Sequence, residues 1–233
     1  MKKYALITGA SEGIGRAIAY GLASIGLNLV LSARSADKLN ALKVELLHIY
    51  PQLDIQLLAF DLSQKNELNL LIEGISARTI FISILVNNLG IYEPGNFFEE
   101  ADAVFEKMMF INTFVPYFLC KTFGKEMAIR QEGHIFGIVS MAGKAPVADA
   151  MSYSISKFAH YGLMQNLRLE LKKSNVHVTS ILPGSTLTSS WGDTQIDPKL
   201  FIQANDIALS LVSCLKLTNG ANVDEINISP LNF

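Results

Sequence analysis

Short apolar runs alternate with longer amphipathic segments along the whole chain. Seven of the short runs are nearly continuous in apolar and β-branched residues, as in strands that are covered on both faces. These predicted strands are Tyr4–Thr8, Asn28–Ser32, Ile55–Phe60, Ile82–Asn87, His134–Val139, His177–Leu182 and Glu225–Ile228. Helical patterns between them begin near Ile14, Asp37, Gln64, Ala101, Met151 and Asn205. The alternation predicts an α/β fold, a doubly wound parallel sheet of about seven strands with helices on both faces, in a single domain over residues 1–233.

Composition narrows the classes of function. The chain has 233 residues, 50% of them hydrophobic, which is enough to bury the core of one domain. The formal net charge is −2 without a basic stripe, so we expect no binding to nucleic acid or to a membrane surface. No apolar stretch approaches the roughly 20 residues that span a bilayer, and the first apolar run is too short for a signal peptide. Cys120 and Cys214 lie in apolar helical segments, so we expect a cytoplasmic protein without disulfides, and no metal site.

A glycine-rich turn, Thr8–Gly15, joins the first predicted strand to the first helix. Glycines in such a turn let the backbone approach a pyrophosphate, and the helix N-terminus offers it free N–H groups. The predicted contacts come from Gly9, Ser11, Gly13, Ile14 and Gly15.

Further polar residues follow the next two strands, where ligands bind in such sheets. Arg34 and Ser35 follow the second strand, and Asp61 and Leu62 follow the third. The second strand ends without a carboxylate, and an arginine fork suits a phosphate. These positions therefore predict an adenosine with a 2′-phosphate, and NADP(H) as the cofactor. Glu12 in the glycine turn is a contrary sign, because an anion there either weakens phosphate binding slightly or points to solvent.

Tyr153 and Lys157 are four residues apart in a predicted helix, Met151–Lys173. This spacing puts both side chains on one helix face, one turn apart. A nearby ammonium group favours the phenolate and lowers the pKa of a tyrosine toward the working range of an acid–base catalyst.

Taken in order, these motifs resemble the short-chain dehydrogenase/reductase family, which has a Rossmann-type fold. The resemblance covers essentially the whole chain and implies an NADP(H)-dependent oxidoreductase that transfers a hydride between nicotinamide and a carbonyl or secondary alcohol. It rests on the glycine turn, Asp61, Asn87-Asn88-Leu89-Gly90, Asn112, Ser140, Tyr153 with Lys157, and Pro183-Gly184-Ser185-Thr186-Leu187-Thr188.

The resemblance also implies a role for each residue. Tyr153 would be the general acid, Lys157 would hold the nicotinamide ribose and lower the pKa of Tyr153, and Ser140 would bind the substrate oxygen. Asn112 would anchor a relay water, or bond to backbone as a buried asparagine, and both roles are compatible. The remaining cofactor contacts would be Asn88, Gly90, Pro183, Gly184, Thr186 and Thr188.

Two positions depart from the family pattern. Leu89 stands where alanine is usual, and we expect the turn to accommodate it because both asparagines and Gly90 remain. Ser83 stands where an aspartate is common.

The C-terminal segment 223–230 is similar to the end of NADP-dependent ketoreductases such as bacterial sepiapterin reductases. A 3-oxoacyl-carrier-protein-type reductase is an alternative, since Arg130, Lys172 and Lys173 offer cations for an acidic carrier. The same three cations also suit the C-termini of helices.

Two regions bear on substrate and assembly. The irregular stretch 183–205, with the single tryptophan Trp191, predicts a lid. The resemblance implies a small-molecule carbonyl or alcohol substrate, and Phe97, Met141, Val147 and Trp191 predict an apolar wall for its pocket and nothing finer. Aromatic residues cover more than one face of the helix that starts near Ala101, which together with the family resemblance predicts a homodimer or homotetramer.

Two other functions stay open at this point. The first is a non-catalytic NADP-binding sensor or scaffold, which would be expected to lack the acid or its lysine. The second is another reaction on the same fold, such as epimerisation or dehydration.

Overall fold

The computed structural model describes residues 1–232 and follows the predicted alternation of strands and helices. The strands are β1 (Lys2–Thr8), β2 (Asn28–Ala33), β3 (Ile55–Ala59), β4 (Ile80–Asn87), β5 (Gly133–Ile138), β6 (Val176–Pro183), β7 (Thr186–Leu187), β8 (Ile202–Gln203) and β9 (Glu225–Ile228). The helices are α1 (Gly13–Ser24), α2 (Ala36–Ile49), α3 (Lys65–Ser76), α4 (Asp102–Met109), α5 (Val115–Arg130), α6 (Met151–Leu171) and α7 (Ala204–Cys214).

Seven of the strands form one parallel sheet in the order β3-β2-β1-β4-β5-β6-β9. The strand order reverses between β1 and β4, and the crevice at such a switch point is where doubly wound sheets bind ligands. The predicted Rossmann-type fold is therefore confirmed, and its carboxyl edge carries the candidate site.

Two apolar layers cover the sheet. Helices α1, α2 and α7 pack on one face, and α3, α5 and α6 pack on the other. Successive residues of each strand point into opposite layers. Because both layers are apolar, most strands are nearly continuous apolar runs in the sequence. Ser83 is buried on β4, and its hydroxyl lies 3.5 Å from the carbonyl oxygen of Tyr4, so the serine is accommodated by a backbone contact.

The helix predicted to start near Ala101 is interrupted. A π-helical turn, Phe110–Phe114, separates α4 from α5 and contains Asn112. The extra residue per turn rotates the chain, and such turns occur often at functional sites.

The stretch 183–205 is more regular than predicted. It contains the two-stranded parallel pair of β7 and β8 and two short 3₁₀ turns, Ser189–Trp191 and Pro198–Leu200. The prediction of one irregular loop was wrong in this respect, because strands of two residues leave no pattern that a sequence reveals.

Three further features concern the described part of the chain. None of its helices is both long and apolar enough to cross a membrane. Cys120 and Cys214 are buried free thiols. Within residues 1–232, no three His, Cys, Asp or Glu side chains are grouped so that they could hold a metal ion.

Candidate active site

The glycine turn closes tightly between β1 and α1. Gly9 and Gly13 have φ angles of +64° and +54°, in the left-handed region that glycine adopts without steric cost. A Cβ on Gly15 would lie 2.2 Å from the carbonyl oxygen of Gly9, so only glycine fits there. Glu12 at the N-cap gives the helix no side-chain cap, which leaves its first N–H groups available to an anion. Two other predicted contacts are partly buried in this turn, Ser11 and Ile14.

The end of β4 is tied to the glycine turn. Asn88 Nδ2 donates to the carbonyl oxygens of Thr8 and Gly9 at 2.9 and 3.2 Å. The hydroxyl of Thr8 accepts from the N–H groups of Asn88 and Leu89. Asn88 therefore shapes the turn, while the Leu89 side chain packs against the apolar layer on the α5 side. The larger residue at position 89 leaves the turn intact in this structure.

Cationic groups lie at the carboxyl end of β2. Arg34 is exposed and makes no hydrogen bond or ion pair with residues 1–232. Lys38 Nζ donates to Glu12 Oε2 at 2.7 Å. This hydrogen bond, aided by Ser189 and by the charge of Arg34, holds the pKa of Glu12 below its usual range. Glu12 is therefore an ionised but paired carboxylate. The hydroxyl of Ser35 caps α2 by accepting from the N–H of Lys38.

The two predicted contacts after β3 differ in accessibility. The carboxylate of Asp61 is partly buried and accepts from the N–H of Ser63 at 3.0 Å. The side chain of Leu62 is buried in the core.

Tyr153 lies in the first turn of α6 and meets two other side chains. Ser140, which follows β5, hydrogen-bonds its hydroxyl. The ring of Tyr92 meets the ring of Tyr153 edge to face, with centroids 4.9 Å apart and an interplanar angle of 86°. Burial raises the pKa of Tyr153, the Ser140 hydrogen bond opposes the rise, and Tyr92 adds to it.

The pKa of Tyr153 is thus shifted opposite to the direction that the resemblance implied. Lys157 explains the difference. Its ammonium nitrogen lies 5.8 Å from the centroid of the Tyr153 ring and donates to the carbonyl oxygen of Ile138 at 3.3 Å. Because Lys157 is fully buried, its own pKa is lowered to about 8. In this structure the lysine lies under the tyrosine ring, and burial dominates the pKa of the phenol.

Asn112 is buried in the π-helical turn and bonds to backbone, which is one of the two roles predicted for it. Its Oδ1 accepts from the N–H of Ile91, and its Nδ2 donates to the carbonyl of Ile91 and to Ser156 Oγ. A Cβ on Gly90 would lie 3.2 Å from both Asn112 Oδ1 and Lys157 Nζ. The missing side chain of Gly90 therefore leaves open space between these two polar atoms.

The segment after β6 lies beside the glycine turn. A Cβ on Gly13 would lie 3.2 Å from the methyl group of Thr188. Thr186 is buried and bonds to the carbonyl of Gly184, just after Pro183 ends β6. Trp191 Nε1 donates to the carbonyl of Thr186 at 2.9 Å. The predicted contacts at positions 183–188 are thus brought to the same edge of the sheet as the turn.

The residues predicted to form an apolar wall have different environments. Met141 packs partly against the core, while Phe97 and Val147 are exposed. Trp191 meets Phe201 edge to face at 4.8 Å.

Comparison with known proteins agrees with this geometry. The family described as short chain dehydrogenase matches residues 3–198. The chain belongs to the short-chain dehydrogenase family. It is 32% identical to a sepiapterin reductase of Chlorobaculum tepidum, in an alignment that covers 99% of this chain and 97% of the relative.

Two solved structures extend the likeness to the short-chain dehydrogenase fold. A metagenomic short-chain oxidoreductase in complex with NADP is 32% identical, with a TM-score of 0.81 over 98% of this chain and 96% of the other. An alcohol dehydrogenase of Thermococcus sibiricus, complexed with 5-hydroxy-NADP, is 25% identical, with a TM-score of 0.90 over 99% and 97%.

Sequence reasoning missed two residues at the site of this short-chain dehydrogenase. Tyr92 contacts Tyr153, and its position two residues after Gly90 was the available signal. Lys38 pairs with Glu12, and a cation one helical turn after Arg34 was a signal for that contact.

Proposed function

We propose that the chain is an NADP(H)-dependent reductase of small-molecule carbonyl compounds, and in reverse a dehydrogenase of secondary alcohols. The observation that carries this proposal is the meeting of Ser140, Tyr153 and Lys157 at the carboxyl edge of the sheet, beside a glycine turn with a free helix N-terminus. The NADP-bound relatives described above support the choice of cofactor.

The residues present fit a dinucleotide. The positive φ angles of Gly9 and Gly13 and the absent side chain of Gly15 let backbone N–H groups reach a pyrophosphate. At the other end, exposed Arg34 has its whole guanidinium group available for a 2′-phosphate. The cofactor supplies the hydride when bound, and the protein orients it.

Tyr153 would act as the acid–base catalyst. Its raised pKa keeps the phenol protonated at neutral pH, which is the form that donates a proton to a carbonyl oxygen during reduction. Ser140 would hold that oxygen beside the phenol. Buried Lys157 has ammonium hydrogens to spare beyond its bond to Ile138, and these would hold ribose hydroxyls. Asn112 and Lys157 would share a relay water in the open space at Gly90.

The segment 183–205 would act as the lid. Its 3₁₀ turn at Ser189–Trp191 follows Thr188, which lies against Gly13 of the glycine turn. Movement of this segment would open the crevice, and its return would exclude water from the path of the hydride.

Two exposed apolar helix faces support a homodimer, or a tetramer built from such dimers. Phe114, which ends the π-helical turn, and Tyr117 in the first turn of α5 are exposed, and Ile155 and Phe158 are exposed on α6. The hydroxyl of Thr113 donates to the carbonyl of Ser156, which holds these two faces side by side. Together they make an apolar patch that a second copy would cover.

Docking of a carrier protein is not favoured by the geometry. Lys172 and Lys173 follow the C-terminus of α6, some 15 residues or about 22 Å along the helix from Lys157. Arg130 ends α5, pairs with Glu126 and stacks over Phe81. The three cations therefore lie at helix C-termini, far from the carboxyl edge that holds Tyr153, so this patch does not support the 3-oxoacyl-carrier-protein alternative.

The test is a screen of purified protein with NADPH against ketones, α-diketones, ketoses and aromatic aldehydes, following NADPH absorbance. We expect turnover with at least one class, which is lost in Tyr153→Phe. NADPH binding without turnover of any carbonyl or alcohol would instead favour the sensor or scaffold function.

A further inference from the structure

His160 is a buried imidazole that the proposed reaction does not use. Its side chain is fully buried, and neither ring nitrogen has a hydrogen-bond partner among residues 1–232. Buried polar groups are nearly always bonded to protein or to ordered water, because an unpaired one costs about 1–3 kcal/mol. We therefore expect the imidazole of His160 to have a hydrogen-bond partner, such as an ordered water.

The position of His160 on α6 shows which way it faces. Ser156, one turn earlier, accepts from Asn112 in the π-helical turn that precedes α5. Tyr161 lies on the opposite flank of the helix and reaches Glu225 of β9. Residues four apart share a helix face, so His160 faces the same seam as Ser156, between α6 and α5.

Asn87 points into this seam from the sheet. It ends β4, and its Nδ2 lies 3.1 Å from Cys120 Sγ on α5. Its Oδ1 is buried without a partner among the described residues. The seam between α5, α6 and β4 thus holds an unpaired acceptor from Asn87 and both ring nitrogens of His160.

We propose that His160 and Asn87 hold a buried water in this seam and that the water reaches the ammonium group of Lys157. In the protein without cofactor, the water would accept the third ammonium hydrogen of Lys157, beside the Ile138 carbonyl and the relay water, and would donate to Asn87 Oδ1 and to the imidazole. This gives it the three hydrogen bonds usual for a buried water. His160 is then a positioning residue that stabilises the charged form of Lys157. The catalytic consequence rests on the proposed reductase function, whereas the water site does not.

The electrostatic surroundings agree with this arrangement. Lys157 and His160 are three residues apart on one helix, and the charge of Lys157 adds to burial in lowering the pKa of His160 to about 3. The imidazole is therefore neutral and has an acceptor nitrogen. Burial alone lowers the pKa of Lys157, so no charged group on α5, β4 or β5 contributes. The phenol of Tyr153 is the titratable group that faces Lys157, whereas the thiol of Cys120 on α5, whose pKa burial raises to about 12, contacts Asn87.

The test is a titration of Lys157 by NMR of ¹³Cε-labelled lysine in the protein without cofactor or substrate. The Lys157 signal is identified by its loss in Lys157→Met. In His160→Leu the pKa of Lys157 should fall by about one to two units, the equivalent of one hydrogen bond to a charged group. His160→Gln keeps an acceptor and should restore most of the shift.

Met164→Leu is the matched control, because Met164 packs on Gly137 one turn further along the same helix without a hydrogen bond. It should leave the pKa of Lys157 unchanged. A high-resolution crystal structure should place a water within hydrogen-bond distance of His160, Asn87 and Lys157. An unchanged Lys157 titration in His160→Leu, or a direct His160–Asn87 bond with no water, would overturn the proposal. The titration needs no turnover, so its outcome is independent of the proposed reductase activity.

Discussion

The ammonium nitrogen of Lys157 faces the ring of Tyr153, 5.8 Å from the ring centroid. The lysine is buried beneath the ring, where it bonds to the carbonyl of Ile138. Burial therefore shifts both groups toward their neutral forms, raising the pKa of the phenol and lowering that of the amine to about 8. In the proposed reductase, reduction would need the protonated phenol and ribose binding would need the charged amine, so both requirements would be met together below about pH 8.

Reductase activity should fall as the pH rises through the pKa of Lys157. The pKa is lowered to about 8, so the ammonium form is present below that pH and is lost above it. The value of kcat/KM for NADPH reports the free enzyme and should decrease about tenfold per pH unit above about pH 8. A profile that stays flat to pH 9.5 would show that the charge of Lys157 is not required.

Arg34 should set the preference for NADPH over NADH. Its unpaired guanidinium would bind the 2′-phosphate through charge-assisted hydrogen bonds, each worth roughly 1.5–3 kcal/mol. Arg34→Ala should therefore weaken NADPH binding about ten- to a hundredfold and leave NADH binding unchanged.

The ionised carboxylate of Glu12 opposes that phosphate, although Lys38 pairs with it. Glu12→Gln should tighten NADPH binding and not NADH binding. Calorimetric titration of NADPH and NADH against the wild type, Arg34→Ala and Glu12→Gln measures these changes in affinity. Equal affinities of the wild type for the two cofactors would mean that the end of β2 does not select a phosphate.

The glycine turn should tolerate no side chain at position 15. A Cβ there would lie 2.2 Å from the Gly9 carbonyl oxygen, so Gly15→Ala must displace the turn. We expect a loss of NADPH affinity of at least tenfold together with a lower melting temperature. Gly162→Ala is the control, since a Cβ at that position in α6 meets no atom within 4 Å. It should stabilise the protein by roughly 0.5–1 kcal/mol through helix propensity, and the same denaturation and binding measurements apply to both variants.

Much of the fold is readable from the sequence, and the exceptions have physical causes. The bounds of β9 match the prediction, because Ile226 and Ile228 alternate with polar residues between two polar loops, a pattern of period two that is typical of a strand. The π-helical turn at Phe110–Phe114 was missed, since one extra residue is invisible in a helical pattern. The spacing of Tyr153 and Lys157 predicted that the two residues share a helix face. It could not show where the ammonium group of a long lysine side chain lies, so the predicted lowering of the Tyr153 pKa was wrong.

Trp191 should report closure of the segment 183–205. The indole packs edge-on against Phe201 and bonds to the carbonyl of Thr186, within a segment that touches the glycine turn. Addition of NADP⁺, which does not absorb at the emission wavelength, should change the emission of this single tryptophan and slow hydrogen exchange in residues 186–203. The lid assignment fails if both signals stay the same with cofactor and substrate present, because Trp191 would then be packed in place permanently.

The most direct test of the reductase assignment is the single-turnover rate of NADPH oxidation by Tyr153→Phe, measured beside NADPH binding on the same sample. The substitution removes the hydroxyl that Ser140 bonds and keeps the ring that packs on Tyr92. General acid catalysis is worth about 10²–10⁴-fold. The account predicts a loss of at least that size with cofactor binding retained, whereas a rate close to that of the wild type would contradict it.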